Sequence, residues 1–234
     1  NLLFTNPAFA GMSDGICASA INRMQWVGFE GAPTTTLAGI HSGIKLFGVK
    51  GGIGLSMMND SYEYETNFQA KLAYSYHRRM LGGTVGFGIE GGIINKDLNG
   101  SWVFPENDSD PIVPDGQVQK IVHDIGAGVF YKVGDFFGSF SVSHITQPNV
   151  KYTEATGTGS NEKWASFLKR HYFGAAGYSF RFLSSPVELQ PSVFVKFDGT
   201  KMQYSGNISA LYNKKIRLGV SYRNREAIIT MLTF

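Results

Sequence analysis

The residues that could bind a metal or perform catalysis do not form a recognisable motif. The single cysteine, Cys17, cannot make an internal disulfide. The five histidines have none of the HxxxH or HExxH spacings that bring ligands onto one ion; they are His41, His77, His123, His144 and His171. We therefore predict no metal site and no cofactor.

A hydrolase would need a Ser or Cys nucleophile, a His base and an orienting group that converge in space. Ser141, Ser143 and His144 are close in sequence, but neighbouring residues of a strand point to opposite faces. Ser143 and His144 thus cannot form a dyad by adjacency, and no G-x-S-x-G motif is present. The sequence predicts a protein that is not an enzyme.

Two other stretches resemble ligand-binding motifs only superficially. Residues 82–88 are rich in glycine, but no helix pattern follows to bind a phosphate at its N-terminus. Residues 105–111 hold three carboxylates without the residue order of a calcium-binding loop. A formal charge of +3 with no run of Lys or Arg gives no nucleic-acid signature. We interpret these stretches as a strand and a solvated loop, and we expect no nucleic-acid partner.

The segments that carry these residues alternate between apolar and polar residues with a period of two. In residues 68–77 one face is apolar or aromatic and the other is polar, as in a half-buried strand. The same pattern recurs in residues 84–93, 171–182, 187–197 and 215–223. In a soluble sandwich the apolar face lies inside, whereas in a membrane barrel it faces lipid and the polar face lines the lumen. Alternation alone does not separate these two folds.

Composition narrows the class of protein. The longest stretch without a charged residue, 136–150, has fifteen residues, fewer than the roughly 18 that a spanning helix needs, which excludes a helical membrane protein. The 29 glycines, several of them within strands, suit bends in a curved, closed sheet. The polar faces carry long side chains of both charge signs, which could interlock and fill a narrow lumen. These inward residues are Lys71, His77, Glu90, Asp124, Lys132, Arg181, Glu188, Lys196, Lys215, Arg217 and Arg223.

Connector lengths favour the membrane barrel. Every second connector is a tight turn, while the long ones, 27–34, 60–65, 95–120 and 145–169, all fall at the other end of the strands. Short periplasmic turns and long external loops are typical of outer-membrane barrels. We predict an all-β, transmembrane, antiparallel up-and-down β-barrel over residues 15–234, preceded by an N-terminal periplasmic segment, 1–14. The twelve predicted strands are 15–26, 35–47, 50–59, 66–79, 83–94, 121–132, 136–144, 170–182, 187–198, 202–212, 215–223 and 226–234.

The first 36 residues carry ordered motifs that resemble the PorP/SprF family of Bacteroidetes outer-membrane proteins. An NPAxAG opening, an R-x-Q-W strand end and a PTT loop occur in that order; the matching residues are Asn6, Pro7, Ala8, Gly11, Arg23, Gln25, Trp26, Pro33 and Thr34. The resemblance implies a role in the type IX secretion system, in gliding motility or in adhesin display. Family members continue for several more strands, which implies about fourteen strands if this chain does so too.

The two longest loops are the predicted partner-binding surface. Both exceed the length beyond which an unstructured connector is usually functional or disordered, and they carry Trp102, Phe104, Ile112, Tyr152, Trp164 and Phe167. The alternative is that these side chains fold back over the barrel mouth. We expect a non-enzymatic barrel in outer-membrane lipid, with its long loops extracellular, that helps to secrete or anchor a type IX surface protein or adhesin, or that works with the secretion machinery. A passive channel or small-ligand transporter is the alternative function.

Overall fold

The structure is a computed structural model that describes residues 2–13, 15–46, 48–99, 117–152, 164–182 and 185–233. Within these residues the secondary structure consists of two short 3-10 turns, Leu2–Phe4 and Pro7–Phe9, followed by β-strands. No helix in this described part of the chain is long and apolar enough to cross a membrane.

Twelve of the strands succeed one another along one antiparallel sheet, as the sequence predicts. In chain order the strands are β1 (Ile16–Met24), β2 (Thr34–Leu46), β3 (Val49–Tyr62), β4 (Glu65–Met80), β5 (Gly83–Asn99), β6 (Gln117–Val133), β7 (Phe136–Ser143), β8 (Asn149–Tyr152), β9 (Trp164–Phe167), β10 (His171–Tyr178), β11 (Phe180–Arg181), β12 (Val187–Phe197), β13 (Met202–Tyr212), β14 (Ile216–Arg223) and β15 (Ala227–Thr233). The up-and-down order runs from β1 to β7, then β10, then β12 to β15. The short strand β11 pairs with β12.

The tight turns lie where the sequence predicts them, because their residues suit the backbone that a hairpin needs. In the β4–β5 hairpin Met80 pairs with Gly83, which leaves Leu81 and Gly82 as a two-residue turn. Both have positive φ, 55° and 75°, the conformation that matches the twist of the flanking strands. Glycine adopts it without strain, which suits Gly82 to the second position of the turn.

The two faces of the sheet differ in chemistry. Leu72, Ile89, Ile125 and Phe140 lie exposed on one face, which we call the outer face. On β4 this apolar face runs from Phe68 to Tyr76, about 26 Å along the strand at roughly 3.3 Å per residue. Nine residues fall at the lower end of the roughly 9–11 that a tilted strand needs to cross the hydrocarbon core.

The opposite, inner face is polar and buried. It carries Lys71, Ser75, Glu90, Asp124 and Ser141, all at most 7% exposed. The fold class is therefore confirmed as an all-β, up-and-down barrel-type sheet whose polar face points inward. The sheet is not closed, since β1 and β15 form its two edges and do not pair with each other.

The structure differs from the prediction at three of the four long loops. The predicted loop 60–65 is a two-residue turn, because Tyr62 pairs with Glu65. The predicted loop 95–120 is shorter, because β5 extends to Asn99 and β6 begins at Gln117. Within the predicted loop 145–169, β8 and β9 form a separate two-stranded sheet in which Tyr152 pairs with Trp164. Four-residue strands are too short to show a clear alternation, so this hairpin has no period-two signal in the sequence.

Candidate functional site

Residues 2–13 pack on the inner face of the sheet rather than standing apart from it. The amides of Thr5 and Asn6 donate to the Leu2 carbonyl, and Asn6 then caps the second turn by accepting a hydrogen bond from the Ala8 amide at 2.9 Å. Pro7 suits the first position of that turn because it has no amide hydrogen to satisfy. Leu3, Asn6, Ala8 and Ala10 are at most 2% exposed. We call residues 2–13 the N-terminal segment; its predicted location on the periplasmic side stays a prediction.

Asn6 joins the N-terminal segment to β6 and β7. Its amide nitrogen donates to the Val129 carbonyl at 2.9 Å and to Ser139 Oγ at 2.8 Å. Beside it, Ser141 Oγ donates to the Thr5 carbonyl at 2.6 Å. Because Asn6 is fully buried, these bonds satisfy groups that would otherwise be desolvated at a cost of about 1–3 kcal/mol.

The other end of the segment is held by β2 and β4. Ser75 Oγ donates to the Ala10 carbonyl at 2.6 Å, and His77 Nε2 lies 3.0 Å from the same oxygen. The Gly11 amide donates to His41 Nδ1 at 3.1 Å. Ser75 Oγ and His77 Nε2 are 2.8 Å apart, and both contact a peptide carbonyl oxygen. Ser75 and His77 are two residues apart and therefore lie on one face of β4. The sequence analysis considered only Ser143 and His144 and did not identify this pair.

Three strand glycines leave room for the segment. A Cβ atom at Gly52 would lie 2.2 Å from the Ala10 carbonyl oxygen, and one at Gly88 would lie 2.2 Å from the Ala8 nitrogen. A Cβ at Gly128 would lie 2.1 Å from Asn6 Oδ1. These contacts are too short for any other residue, so the glycines allow close backbone approach in addition to any role in sheet curvature.

A buried ionic layer lies next to the segment on the inner face. Lys71 Nζ is 2.9 Å from Glu90 Oε1 and 2.8 Å from Asp124 Oδ2, so one cation serves two carboxylates. His144 Nδ1 lies 2.9 Å from the same Asp124 oxygen. The sequence predicts that inward charges of both signs could interlock, without specifying pairs, and in the structure Lys71, Glu90 and Asp124 do so. In the part of the chain that the structure describes, no group of three or more His, Cys, Asp or Glu residues could hold a metal ion.

Further side-chain packing fills the interior on either side of the N-terminal segment and the ionic layer. Towards the long connectors, Leu168 packs against the buried Ile94 and Val122. Towards the tight turns, the Phe9 ring meets Phe130 edge to face at 5.3 Å, and Phe130 stacks on Phe137. The interior along β2 to β7 is therefore filled with side chains in successive layers.

Comparison with known proteins decides the family. The family model described as type IX secretion system membrane protein PorP/SprF matches residues 1–234. The chain belongs to the PorP/SprF family. This confirms the resemblance found in the N-terminal motifs, and that description is one of a secretion-system membrane protein rather than of an enzyme.

A solved structure that is similar to this PorP/SprF chain is the β domain of the Bordetella autotransporter BrkA. The two share 12% sequence identity over 94% of this chain and 96% of the other, with a TM-score of 0.43. Among curated proteins, none matches the chain in sequence.

The PorP/SprF motif residues form two separate groups in the structure. Asn6, Pro7, Ala8 and Gly11 belong to the buried N-terminal segment. The remaining motif residues lie at the β1–β2 connector, where the Gln25 amide donates to the Pro33 carbonyl at 3.0 Å; they are Arg23, Gln25, Trp26, Pro33 and Thr34. The order of the motifs along the chain therefore does not reflect one common site.

The predicted partner-binding residues are only partly described. Trp102, Phe104 and Ile112 lie outside the described residues. Tyr152, Trp164 and Phe167 belong to the β8–β9 sheet, in which Phe167 pairs with Asn149. The structure also exposes an apolar group that the sequence analysis did not assign to a partner: Trp26, Val27 and Phe29, which are 72–79% exposed. They share an end of the sheet with the long connectors.

Proposed function

We propose that this PorP/SprF chain is a non-enzymatic outer-membrane barrel that partners with a type IX secreted surface protein or adhesin, or with the secretion and gliding machinery, and helps in secretion or surface anchoring. The filled interior along β2 to β7 carries this proposal. An interior occupied by the N-terminal segment and by a buried Lys71–Glu90–Asp124 layer suits a barrel that holds a partner better than one that passes solutes.

The proposed partner surface is the end of the sheet with the long connectors, which we place outside the cell. Aromatic anchors dominate interface energies, and large exposed apolar groups on soluble surfaces usually mark contacts. Trp26, Val27 and Phe29 are exposed at this end. They join the six loop residues proposed from the sequence: Trp102, Phe104, Ile112, Tyr152, Trp164 and Phe167.

Alanine substitution of the loop aromatics should weaken partner retention. Trp102→Ala and Trp164→Ala are each expected to cost about 1 kcal/mol or more of binding, the usual order for a hot spot. Trp26→Ala should act in the same direction because its side chain is exposed at the same end. The measurement is recovery of type IX secreted proteins with the tagged barrel from solubilised outer membranes.

Leu81→Ala is the matched control, since Leu81 is equally exposed but lies in a tight turn at the opposite end. Its partner recovery should equal that of the unmodified chain. Undiminished recovery in all three tryptophan variants would place the contact elsewhere, and loss in Leu81→Ala would place it at the tight-turn end.

Planar-bilayer recordings test the filled interior directly. The purified protein should give no steady conductance, because side chains and the N-terminal segment occupy the interior along β2 to β7. Protein inserted with correct heat-modifiable gel migration is the control for folding. Steady single-channel conductance would contradict the proposal and support the alternative, a passive channel or small-ligand transporter.

A further inference from the structure

We propose that the inner face of β2 to β7 is a peptide-binding site, and that the N-terminal segment occupies it as a separable ligand. This goes beyond the partner surface proposed above, because the site lies inside the sheet. The ligand class is a short peptide that carries one Asn, small side chains and a Gly at fixed spacing. The geometry that supports this consists of side-chain contacts from several strands onto a compact segment.

The segment maintains its own conformation. Its backbone bonds are local: the Phe9 amide donates to the Asn6 carbonyl, the Ala10 amide to the Pro7 carbonyl, and the Met12 amide to the Phe9 carbonyl. The sheet holds it chiefly through inward-pointing side chains, as a receptor holds a ligand. Gly15, the residue before β1, has a φ of 80° and no atom within 4 Å of a Cβ built on it, so the chain is uncrowded at this position.

The contacts specify a sequence pattern. Asn6 is recognised by Val129 and Ser139, and a residue of another shape would leave those groups unpaired. Ala8 and Ala10 are completely buried, which restricts both positions to small side chains. Gly11 has a φ of 70°, and a Cβ there would lie 2.6 Å from the Gly52 Cα, so the position requires glycine. The recognised pattern is Asn, then Ala two and four residues later, then Gly.

The site opens towards the tight turns. A cavity at this end is lined by Leu2, Met12 and Ser13 of the segment region together with Lys132 and Asp135 beside the β6–β7 turn. A peptide of the same pattern from another chain would enter here only after the N-terminal segment leaves. The segment is therefore autoinhibitory for this site.

The test uses the full chain with a specific protease sequence inserted at Gly15. The folded protein is cut in detergent and then mixed with a fluorescently labelled synthetic peptide of residues 1–13, and binding is followed by fluorescence anisotropy. We expect the cut segment to co-elute with the barrel, to exchange with the labelled peptide, and to be displaced by unlabelled peptide. The uncut protein should bind little labelled peptide because its site is occupied.

Variant peptides test the recognition. An Asn6→Ala peptide should compete about ten-fold or more weakly, from the cost of unpaired buried polar groups. An Asn1→Ala peptide, altered outside the N-terminal segment, should compete like the original. Unchanged heat-modifiable migration after cutting shows that the barrel stays folded.

Three results would each overturn the proposal. The cut segment could remain bound without ever exchanging, which would make it a fixed part of the core. It could leave and fail to rebind at about 1 mM, the limit of weak affinity. The Asn6→Ala peptide could compete as well as the original peptide, or the uncut protein could bind as much labelled peptide as the cut protein. Either result would mean that the labelled peptide binds elsewhere.

Discussion

Replacing Lys71 with Met should lower the free energy of unfolding by about 3–5 kcal/mol, because removing one partner of a buried ion pair leaves uncompensated charge. Lys71 is 7% exposed and is the shared cation of Glu90 and Asp124, at 2.9 and 2.8 Å. Methionine keeps most of the side-chain length and removes the ammonium charge together with its hydrogen-bond donors. The measurement is urea unfolding of the protein folded into lipid vesicles, followed by tryptophan fluorescence.

Two further variants separate lost charge from lost packing. Lys50→Met removes an exposed cation at the start of β3 and should change stability by no more than about 0.5 kcal/mol. Combining Lys71→Met with Glu90→Gln and Asp124→Asn should recover part of the loss, since neutral amides need no counter-ion. Equal stability of Lys71→Met and the unmodified chain would show that the ionic layer does not hold the interior together.

The strands were predictable from the sequence because their signals are local. Period-two alternation identifies β4 and the last strands, and the Leu81–Gly82 turn limits the hairpin between β4 and β5. The connector lengths then favour a membrane barrel over a soluble sandwich. Each of these signals is contained within about ten to twenty residues, so no knowledge of distant contacts is needed.

The pairing inside the ionic layer depends on register, which the sequence does not state. Alternation predicts that Lys71, Glu90 and Asp124 all point inward. Lys71 lies opposite Gly92, and Glu90 lies opposite Gly126, so the long side chains extend over bare glycines towards diagonal neighbours. A Cβ at Gly126 would lie 2.5 Å from Glu90 Oε1. The choice of partners therefore follows from the strand pairing together with these two glycines.

The buried position of the N-terminal segment could not be predicted. Residues 2–13 show no periodicity, and the partners of Asn6 and Thr5 lie on β6 and β7, 123 to 136 residues further along the chain. Such a segment looks like a tail when only its own residues are considered. The nearest sequence signal is the set of strand glycines, which the sequence analysis attributed to curvature alone.

Gly88→Ala should displace the N-terminal segment and lower the free energy of unfolding by about 1–3 kcal/mol, the usual cost of overpacking an interior. The added Cβ would lie 2.2 Å from the Ala8 nitrogen and 2.4 Å from the Pro7 carbonyl carbon, and backbone atoms cannot yield as a flexible side chain does. Hydrogen exchange by mass spectrometry measures the effect, as faster exchange of the amides of residues 2–13.

Gly91→Ala on the same strand is the matched control, because Gly91 lies on the outer face and nothing is within 4 Å of its added Cβ. Both variants lose the same backbone flexibility when glycine becomes alanine. The difference between them in unfolding free energy and in amide exchange therefore reports the close contact between β5 and the N-terminal segment. Gly91→Ala should leave the exchange of residues 2–13 unchanged. Equal exchange and equal stability in the two variants would mean that the segment does not pass over Gly88 in the folded protein, and the layered interior would then need another arrangement.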